Sequence, residues 1–519
     1  MFKRKMLCLA VVFALLITSL TGCGGKEEGA GTKDAASEKQ QTLTVATAYD
    51  AKTLDPHVTN DIPSSSVMIQ IYENLLTLDE NNELVGQLAE KWERIDDVTY
   101  KFYLKKGVKF HNGEELKASD VKFSFERAIT KEGSAVTHVV KEIDPNGFEV
   151  VDDHTIIIKL KRPFSVFLTY LTHVGGGVIL NEKAVTEAGD DYGMNPVGTG
   201  PYKFKSWAKG DNIVLERFDD HREIKPQFKE IVLRAIPEAT SRTIELESGG
   251  VDISYMIVPN DVPRVDENPD LNLLRSVNLN TQYLGFNCEK APFDNVKVRQ
   301  AINLALNVEA ITKSAFRGIG KAAVGPIGPG AKYFNKNLTV KKKNVEEAKK
   351  LLAEAGYENG FDTQIWTNDR KERIDMATII QNQLKEIGIN AEIKVLEWSA
   401  YLEGLKKSEQ EMFIVGWTMS APDPDMGLYA LFHSSQKGSN NFAYYGNEEM
   451  DKMLDQGRVM DDSKEREQLY YDIQQKLYDE NPWVFLYNGE ETAATRKGIK
   501  GFKPSPMGYH ILYNTYIEE

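Results

Sequence analysis

Asp423 and Asp425 stand two residues apart in residues 416–425, "GWTMSAPDPD", with Pro424 between them. Carboxylates this close could share a proton in acid–base work, hold a cation, or line a pocket that binds without reacting. A calcium loop of the EF-hand type needs alternating acids, a glycine at the sixth position and a glutamate at the twelfth. The spacing from Asp423 fails after the second acid. Glycoside hydrolysis needs a defined pair of carboxyls, and nothing singles one out among 77 acids. Ser206 and Lys209 make an S-x-x-K spacing, but the S-D-N and K-T-G companions of that nucleophile are missing. The eight histidines are scattered, with no H-E-x-x-H or H-x₃-H, so no zinc site is indicated. "VGTGPY" (197–202) lacks the phosphate-loop pattern and reads as a tight turn. The three glycines of "THVGGGVIL" (172–180) permit either a close backbone approach to a ligand or a simple bend. The residues point away from an enzyme and name no metal or cofactor.

The elements that would position these residues follow from periodicity. "VTYKFYLKKGVKFHNGEEL" (98–116) is a meander in which Val98, Tyr100, Phe102 and Leu104 alternate, with turns at "KKG" and "HNG". Ser119 caps a following helix with Val121, Phe125, Ala128 and Ile129 on one face. With the strand "HTIIIKL" these make a small α+β module. Further on, Asn344 and Glu347 form a capping box for "VEEAKKLLAEA", which Gly356 ends. The strand "FDTQIW", the helix "ERIDMATIIQNQLKEI" with Ile374, Ile380, Leu384 and Ile387 near one face, Gly388 and the strand "AEIKVLEW" read as a right-handed βαβ unit on a mostly parallel sheet. A last helix, "EREQLYYDIQQKLYDE", precedes a buried strand, "PWVFLYN", that ends at Asn488. No repeat of 20–50 residues is present.

The chain has 519 residues, enough for two or three domains or lobes, and 41% hydrophobic against 27% charged residues marks a soluble globular body. Lys3, Arg4 and Lys5 precede the apolar run "MLCLAVVFALLITSL", which is too short for an ordinary membrane span and reads as a secretory signal. It ends in "LTGC", which resembles a bacterial lipobox, where Cys23 would be diacylated and become the mature N-terminus. Cys8 would leave with residues 1–22, so Cys288 is the one remaining thiol and no internal disulfide is expected. That cleavage removes three positive charges and no acid, taking the net charge from −14 to −17. Such a surface argues against nucleic acid and leaves the anchoring to lipid. Residues 24–41 carry no aromatic, Val, Ile or Leu and read as a flexible tether. The first strand begins at Thr42.

Four blocks in this order then carry a family likeness: residues 88–128 ("LAEKWERIDDVTYKFYLKKGVKFHNGEELKASDVKFSFERA"), 195–204 ("NPVGTGPYKF"), 292–307 ("PFDNVKVRQAINLALN") and 351–361 ("LLAEAGYENGF"). With the lipobox, the chain resembles the extracytoplasmic solute-binding proteins, family 5, of peptide-type ABC importers. The resemblance implies an α/β, two-lobed periplasmic-binding-protein-like fold of the type II, peptide-binding class. Lobe I would comprise 42–75, 194–283 and 490–519, with an insertion module at 76–193. Lobe II would comprise 284–489. The lobes would close on a ligand by hinge motion, and a membrane permease with its ATPase would take the cargo. The receptor would be a monomer, lipid-anchored on the outer face of the cell membrane.

The resemblance also implies site residues. In peptide-binding relatives an aspartate three residues after the strand-end tryptophan holds the peptide ammonium. Here Trp417 plus three is Ser420, which cannot neutralise an ammonium. Thr418 and Asp423 belong to the same loop. Arg370 is the nearest match to an arginine that takes the peptide carboxylate, beside Asn368 and Trp366 of "IWTND". Trp398 and Tyr401 are further aromatic candidates for the pocket, and Asn60 and Asp61 complete the candidate set. The wording of the second half is most similar to the glutathione and small-peptide branch. Cargo of another kind (an oligosaccharide, a metal chelate or haem), a sensing role without import, and a lipid-anchored hydrolase stay as alternatives.

Overall fold

The computed structural model describes residues 41–79, 83–419 and 421–518. The leader, the lipidation candidate Cys23, the tether up to residue 40 and Ser420 lie outside the described residues.

Eleven strands form one mixed sheet. In chain order they are β1 (Thr42–Thr47), β2 (Tyr202–Ala208), β3 (Asn212–Arg217), β4 (Glu230–Ala235), β5 (Ile253–Tyr255), β6 (Leu271–Phe286), β7 (Lys321–Ala322), β8 (Phe361–Asn368), β9 (Ile389–Leu396), β10 (Met412–Thr418) and β11 (Trp483–Arg496). Across the sheet the order is β9-β8-β10-β6-β11-β5-β1-β4-β3-β2, with β7 beside β11. β1 is parallel to β4 and β5, and β8 is parallel to β9 and β10. Two parallel patches therefore flank an antiparallel centre, where β6 pairs with β11. This is the two-lobed α/β architecture expected from the sequence.

β6 and β11 join the halves. β6 has 16 residues and reaches about 50 Å at the ordinary strand rise. Residues 271–277 pair with 490–496, and residues 281–285 pair with 483–488. Between Val277 and Thr281 the register shifts, which interrupts the ladder and lets the strand bend there. The strand "PWVFLYN" therefore does not end at Asn488 as expected. It continues to Arg496, because residues 493–495 find a second partner in β5.

The strand–helix–strand unit is present, with the helix Lys371–Leu384 between the parallel β8 and β9 and Gly388 at φ +81° turning the chain between helix and strand. Its second strand ends at Leu396 because Trp398 begins a helix, and the sheet is mixed rather than mostly parallel. Asn344 caps Val345–Glu354 through Glu347 N at 3.1 Å. The helix expected to be capped by Ser119 starts two residues earlier, over Ala118–Thr130 with Lys117 at the cap position, and the Asp120 carboxylate reaches back to Lys117 N at 2.9 Å. That helix covers a four-stranded antiparallel sheet formed by Ala89–Asp96, Thr99–Leu104, Thr155–Leu160 and Ile143–Asp152. The apolar interior of this module, including Tyr100, Phe102 and Phe125, is continuous with Phe432, Leu454 and Tyr470. The glycines 175–177 serve packing: a Cβ on Gly176 would strike Val139 at 2.6 Å, and one on Gly177 the Leu171 carbonyl at 2.1 Å. Cys288 is a free thiol, and burial pushes it up to about 11, which keeps it protonated.

Candidate ligand-binding site

The alternating amides of β6, "NLNTQ" at 278–282, fall where the ladder is interrupted. Side chains two apart share a face of a strand, so Asn278, Asn280 and Gln282 point the same way. They line a cavity of about 650 Å³ between the two halves of the sheet. That volume lies within the range of small-ligand clefts. Its far walls are residues 256–260 after β5 and Pro506–Met507 on one side, and residues 315–319, Arg370 and Lys371 on the other. The Arg317 guanidinium reaches across to the Asn260 amide oxygen, so the walls touch at the rim.

The amides are linked in series. Asn280 Nδ2 donates to Thr418 Oγ1 at 2.8 Å, and Gln282 Nε2 donates to Asn280 Oδ1 at 3.0 Å. Gln282 Oε1 accepts from Arg373 Nε at 3.2 Å, and Arg373 Nη1 donates to Asn368 Oδ1 at 3.0 Å. Arg373 is only 6% exposed, yet its partners are amides and the Trp398 ring, 5.7 Å away. Among the described residues it has no carboxylate within salt-bridge reach, and burial pulls its pKa down. A buried cation without a counter-ion leaves a positive field at the cavity wall.

The other end of the series carries the opposite sign. Asn278 Nδ2 donates to Glu491 Oε1 at 3.2 Å, and no cation contacts this carboxylate among the described residues. Burial pushes the Glu491 carboxyl upward, and the Asn278 hydrogen bond only partly offsets it. Its neighbour Glu490 is already engaged, by Gly320 N at 3.1 Å and Arg275 at 3.4 Å. The cleft thus holds two uncompensated charges of opposite sign, joined by amides. From Asn278 to Gln282 the strand covers about 13 Å.

The sequence candidates separate into groups. Arg370 and Thr418 line the cavity. Asn368 and Trp398 pack around Arg373. Asn60 is exposed, and Asp61 caps the helix Ile62–Ile71 by accepting from Ser64 N at 3.0 Å. Trp417 lies between Gly416 and Thr418 on β10, so its ring points to the opposite face from Thr418 and packs on the apolar core. Trp366 and Tyr401 are buried: the Trp366 indole donates to Gln364 at 3.0 Å and the Tyr401 hydroxyl donates to Ile414 O at 2.9 Å. Asp423 forms a buried two-pronged pair with Arg466, at 2.8 and 2.9 Å. Asp425 lies 3.2 Å from Arg458 Nε without hydrogen-bond alignment, and burial pushes its carboxyl up to about 6. The sequence reading missed Arg373, Gln282 and Glu491. The alternation N-x-N-x-Q and the charged "EE" inside a buried strand were their available signals.

The pattern of the bacterial extracellular solute-binding proteins, family 5 (middle), matches residues 83–439. The chain belongs to this family. It is 31% identical over 479 residues to the glutathione-binding protein GsiB of Pectobacterium atrosepticum, covering 90% of this chain and 92% of that one. It is 30% identical over 521 residues to the dipeptide-binding protein of Escherichia coli, covering 93% and 96%. The solved structure of HbpA2 from Haemophilus parasuis superimposes with a TM-score of 0.86 at 28% identity, covering 92% of this chain and all of that one. The family is one of solute-binding proteins.

Proposed function

We propose that this solute-binding protein captures small peptides, glutathione among the candidates, in the cleft between its lobes and delivers them to an ABC permease. The observation that carries this reading is the pair of opposite, uncompensated charges, Glu491 and Arg373, at the two ends of the Asn278–Asn280–Gln282 series. A short peptide is a zwitterion with amide groups between its charges, and about 13 Å accommodates three to four extended residues. Arg317 on the cavity rim, whose side-chain partner is the neutral Asn260, adds positive charge, whereas Lys371 is paired with Asp375 at 2.8 Å and Arg370 lies 3.9 Å from Glu372. The relatives named for glutathione and dipeptides support the same class of cargo.

Lobe I (42–75, 194–283 and 490–519, with the module 76–193) and lobe II (284–489) hinge about the interrupted stretch of β6. A ligand that touches both walls favours the closed form by its differential affinity alone. Residues 1–22 act as a lipoprotein signal, and a diacylated Cys23 holds the monomeric receptor to the outer face of the cell membrane on the tether of residues 24–41. ATP hydrolysis by the importer's ATPase drives transport. Mass spectrometry of whatever copurifies with the unwashed protein tests the cargo. Short peptides are expected, whereas haem, a metal chelate or an oligosaccharide would replace this reading.

A further inference from the structure

Beside the cleft lies a second, more enclosed chamber of about 320 Å³. It sits at the C-terminal ends of the parallel strands β1 and β5, where ligands of open α/β sheets are commonly held. Its walls are Thr47, Ala48 and Tyr49 at the end of β1, Ile62 and Ser66 of the helix Ile62–Ile71, and Tyr255 and Met256 at the end of β5. Ile62, Met256 and Glu491 line both this chamber and the main cavity, so the two abut at Glu491.

Three observations on this wall point to a ligand. Tyr49, Ile62 and Met256 are 63%, 50% and 49% exposed, three large apolar side chains at one chamber. Clustered apolar exposure of this kind marks binding surfaces more often than solvent. Met256 also holds a left-handed backbone at φ +56°, a conformation that costs free energy outside glycine. Arg242 fixes it there: its guanidinium donates to Met256 O at 3.2 Å and to Tyr255 O at 3.3 Å. Finally, the partly buried Glu491 carboxylate at the shared wall has an amide partner and no cation among the described residues.

We propose that this chamber is the subsite for the first residue of the bound peptide, with the ammonium on Glu491 and an apolar side chain among Tyr49, Ile62, Tyr255 and Met256. The inference rests on the peptide reading of the cleft and adds an orientation and a preference. The amine end lies in lobe I, the carboxylate end faces Arg373, and peptides with a large apolar first residue outbind those that begin with glycine. An ammonium would supply the counter-charge that Glu491 lacks, and desolvation strengthens such a pair.

Calorimetry on the full-length protein tests it, with Phe-Ala-Ala, Gly-Ala-Ala, N-acetyl-Phe-Ala-Ala and the fragment phenethylammonium, for the wild type, Glu491→Gln and Ser66→Leu. Free Phe-Ala-Ala is expected to bind at least thirtyfold more tightly than its acetylated form, and Glu491→Gln to erase that difference. Ser66→Leu fills the chamber and is expected to weaken Phe-Ala-Ala about tenfold while sparing Gly-Ala-Ala. Melting curves identify a misfolded Ser66 variant, and the near-isosteric Glu491→Gln arm decides independently. Equal binding of free and acetylated peptide, or unchanged binding by Glu491→Gln, overturns the chamber and leaves peptide cargo standing. Phenethylammonium that binds the wild type and not Glu491→Gln, with no heat from any peptide, overturns peptide cargo and keeps the chamber. No heat from peptide or fragment overturns both.

Discussion

The loop 416–425 and the stretch 278–282 of β6 both set charge into a protein interior, and they treat it in opposite ways. Beside the loop, Asp423 is closed off by a two-pronged Arg466, and Asp425 has Arg458 close by. Beside β6, Arg373 and Glu491 are surrounded by amides and lack a partner of opposite sign among the described residues. A buried ion pair is complete without a visitor, and breaking it costs stability. A buried charge with only neutral partners is costly in the empty protein, and a ligand of opposite charge relieves it. On the proposed peptide reading, pairing, rather than the presence of acids, distinguishes structural charge from binding charge in this molecule.

The largest effect is expected from acid, and it should act through the sealed interior. Burial lowers His57 and His173 to about 3 and His111 and His510 to about 4, against an ordinary value of 6.5. For His57 the neighbouring Arg127 adds to the effect. The unfolded chain therefore takes up protons near pH 6.5 that the native chain refuses. Their contribution to stability is complete above pH 6.5 and is lost as pH falls toward 4 and below. Asp425, raised to about 6, and the raised Asp120 and Glu491 work in the other direction. Glu73, which burial would raise but His221 and Arg222 hold down to about 2, acts with the four histidines. Melting temperature should fall steadily from pH 6.5 to 4, and a flat profile would contradict the buried neutral histidines.

Asp423→Ala should come next. It leaves Arg466 buried without its counter-ion and is expected to cost about 3–5 kcal/mol in urea unfolding, with ligand affinity within twofold of wild type in the protein that still folds. Arg373→Gln should reverse this pattern. Ligand affinity is expected to drop about tenfold, while stability changes by about 1 kcal/mol or less. If Asp423→Ala abolished binding at full stability, the contrast between the two regions would be inverted. The smallest effect is expected from Gly416→Ala, whose Cβ would lie 2.2 Å from Gln282 Nε2. The amide must move away and release Arg373, and calorimetry should show a loss of a few-fold, with little change in melting.

Much of the scaffold was legible because its signals are local. The strand–helix–strand unit over residues 361–396 has the 3.6 and 2.0 periodicities and a glycine stop, and its elements are observed, although its last strand ends at Leu396 and the sheet around it is mixed. The first strand of the expected meander is likewise present, with Tyr100, Phe102 and Leu104 buried on one face, but it pairs with 89–96 and 155–160, and the stretch after it makes only an isolated bridge from Lys109 to Glu115. The site was less legible, because pairing is a long-range property. Nothing in "APDPD" shows that Arg466, 43 residues on, will close around Asp423. Glu491 fell outside a strand read as ending at Asn488, and its hydrogen-bond partner Asn278 lies 213 positions away. Trp417 stood next to the cavity in sequence, but strand alternation turned it to the other face. Arg370 was read one helical turn too early: it lines the cavity, while Arg373, on the inward side of the same helix, carries the buried charge.

The central claim is that the cleft closes on a peptide through opposite charges at its two ends. The most direct test is titration of the protein with reduced and oxidised glutathione and di- to pentapeptides, followed in parallel by calorimetry and small-angle scattering. Saturable heat from at least one of these ligands, with a smaller radius of gyration in the bound state, is the expected result. No heat and an unchanged radius with every one of them, while haem or an oligosaccharide produces both, would contradict it.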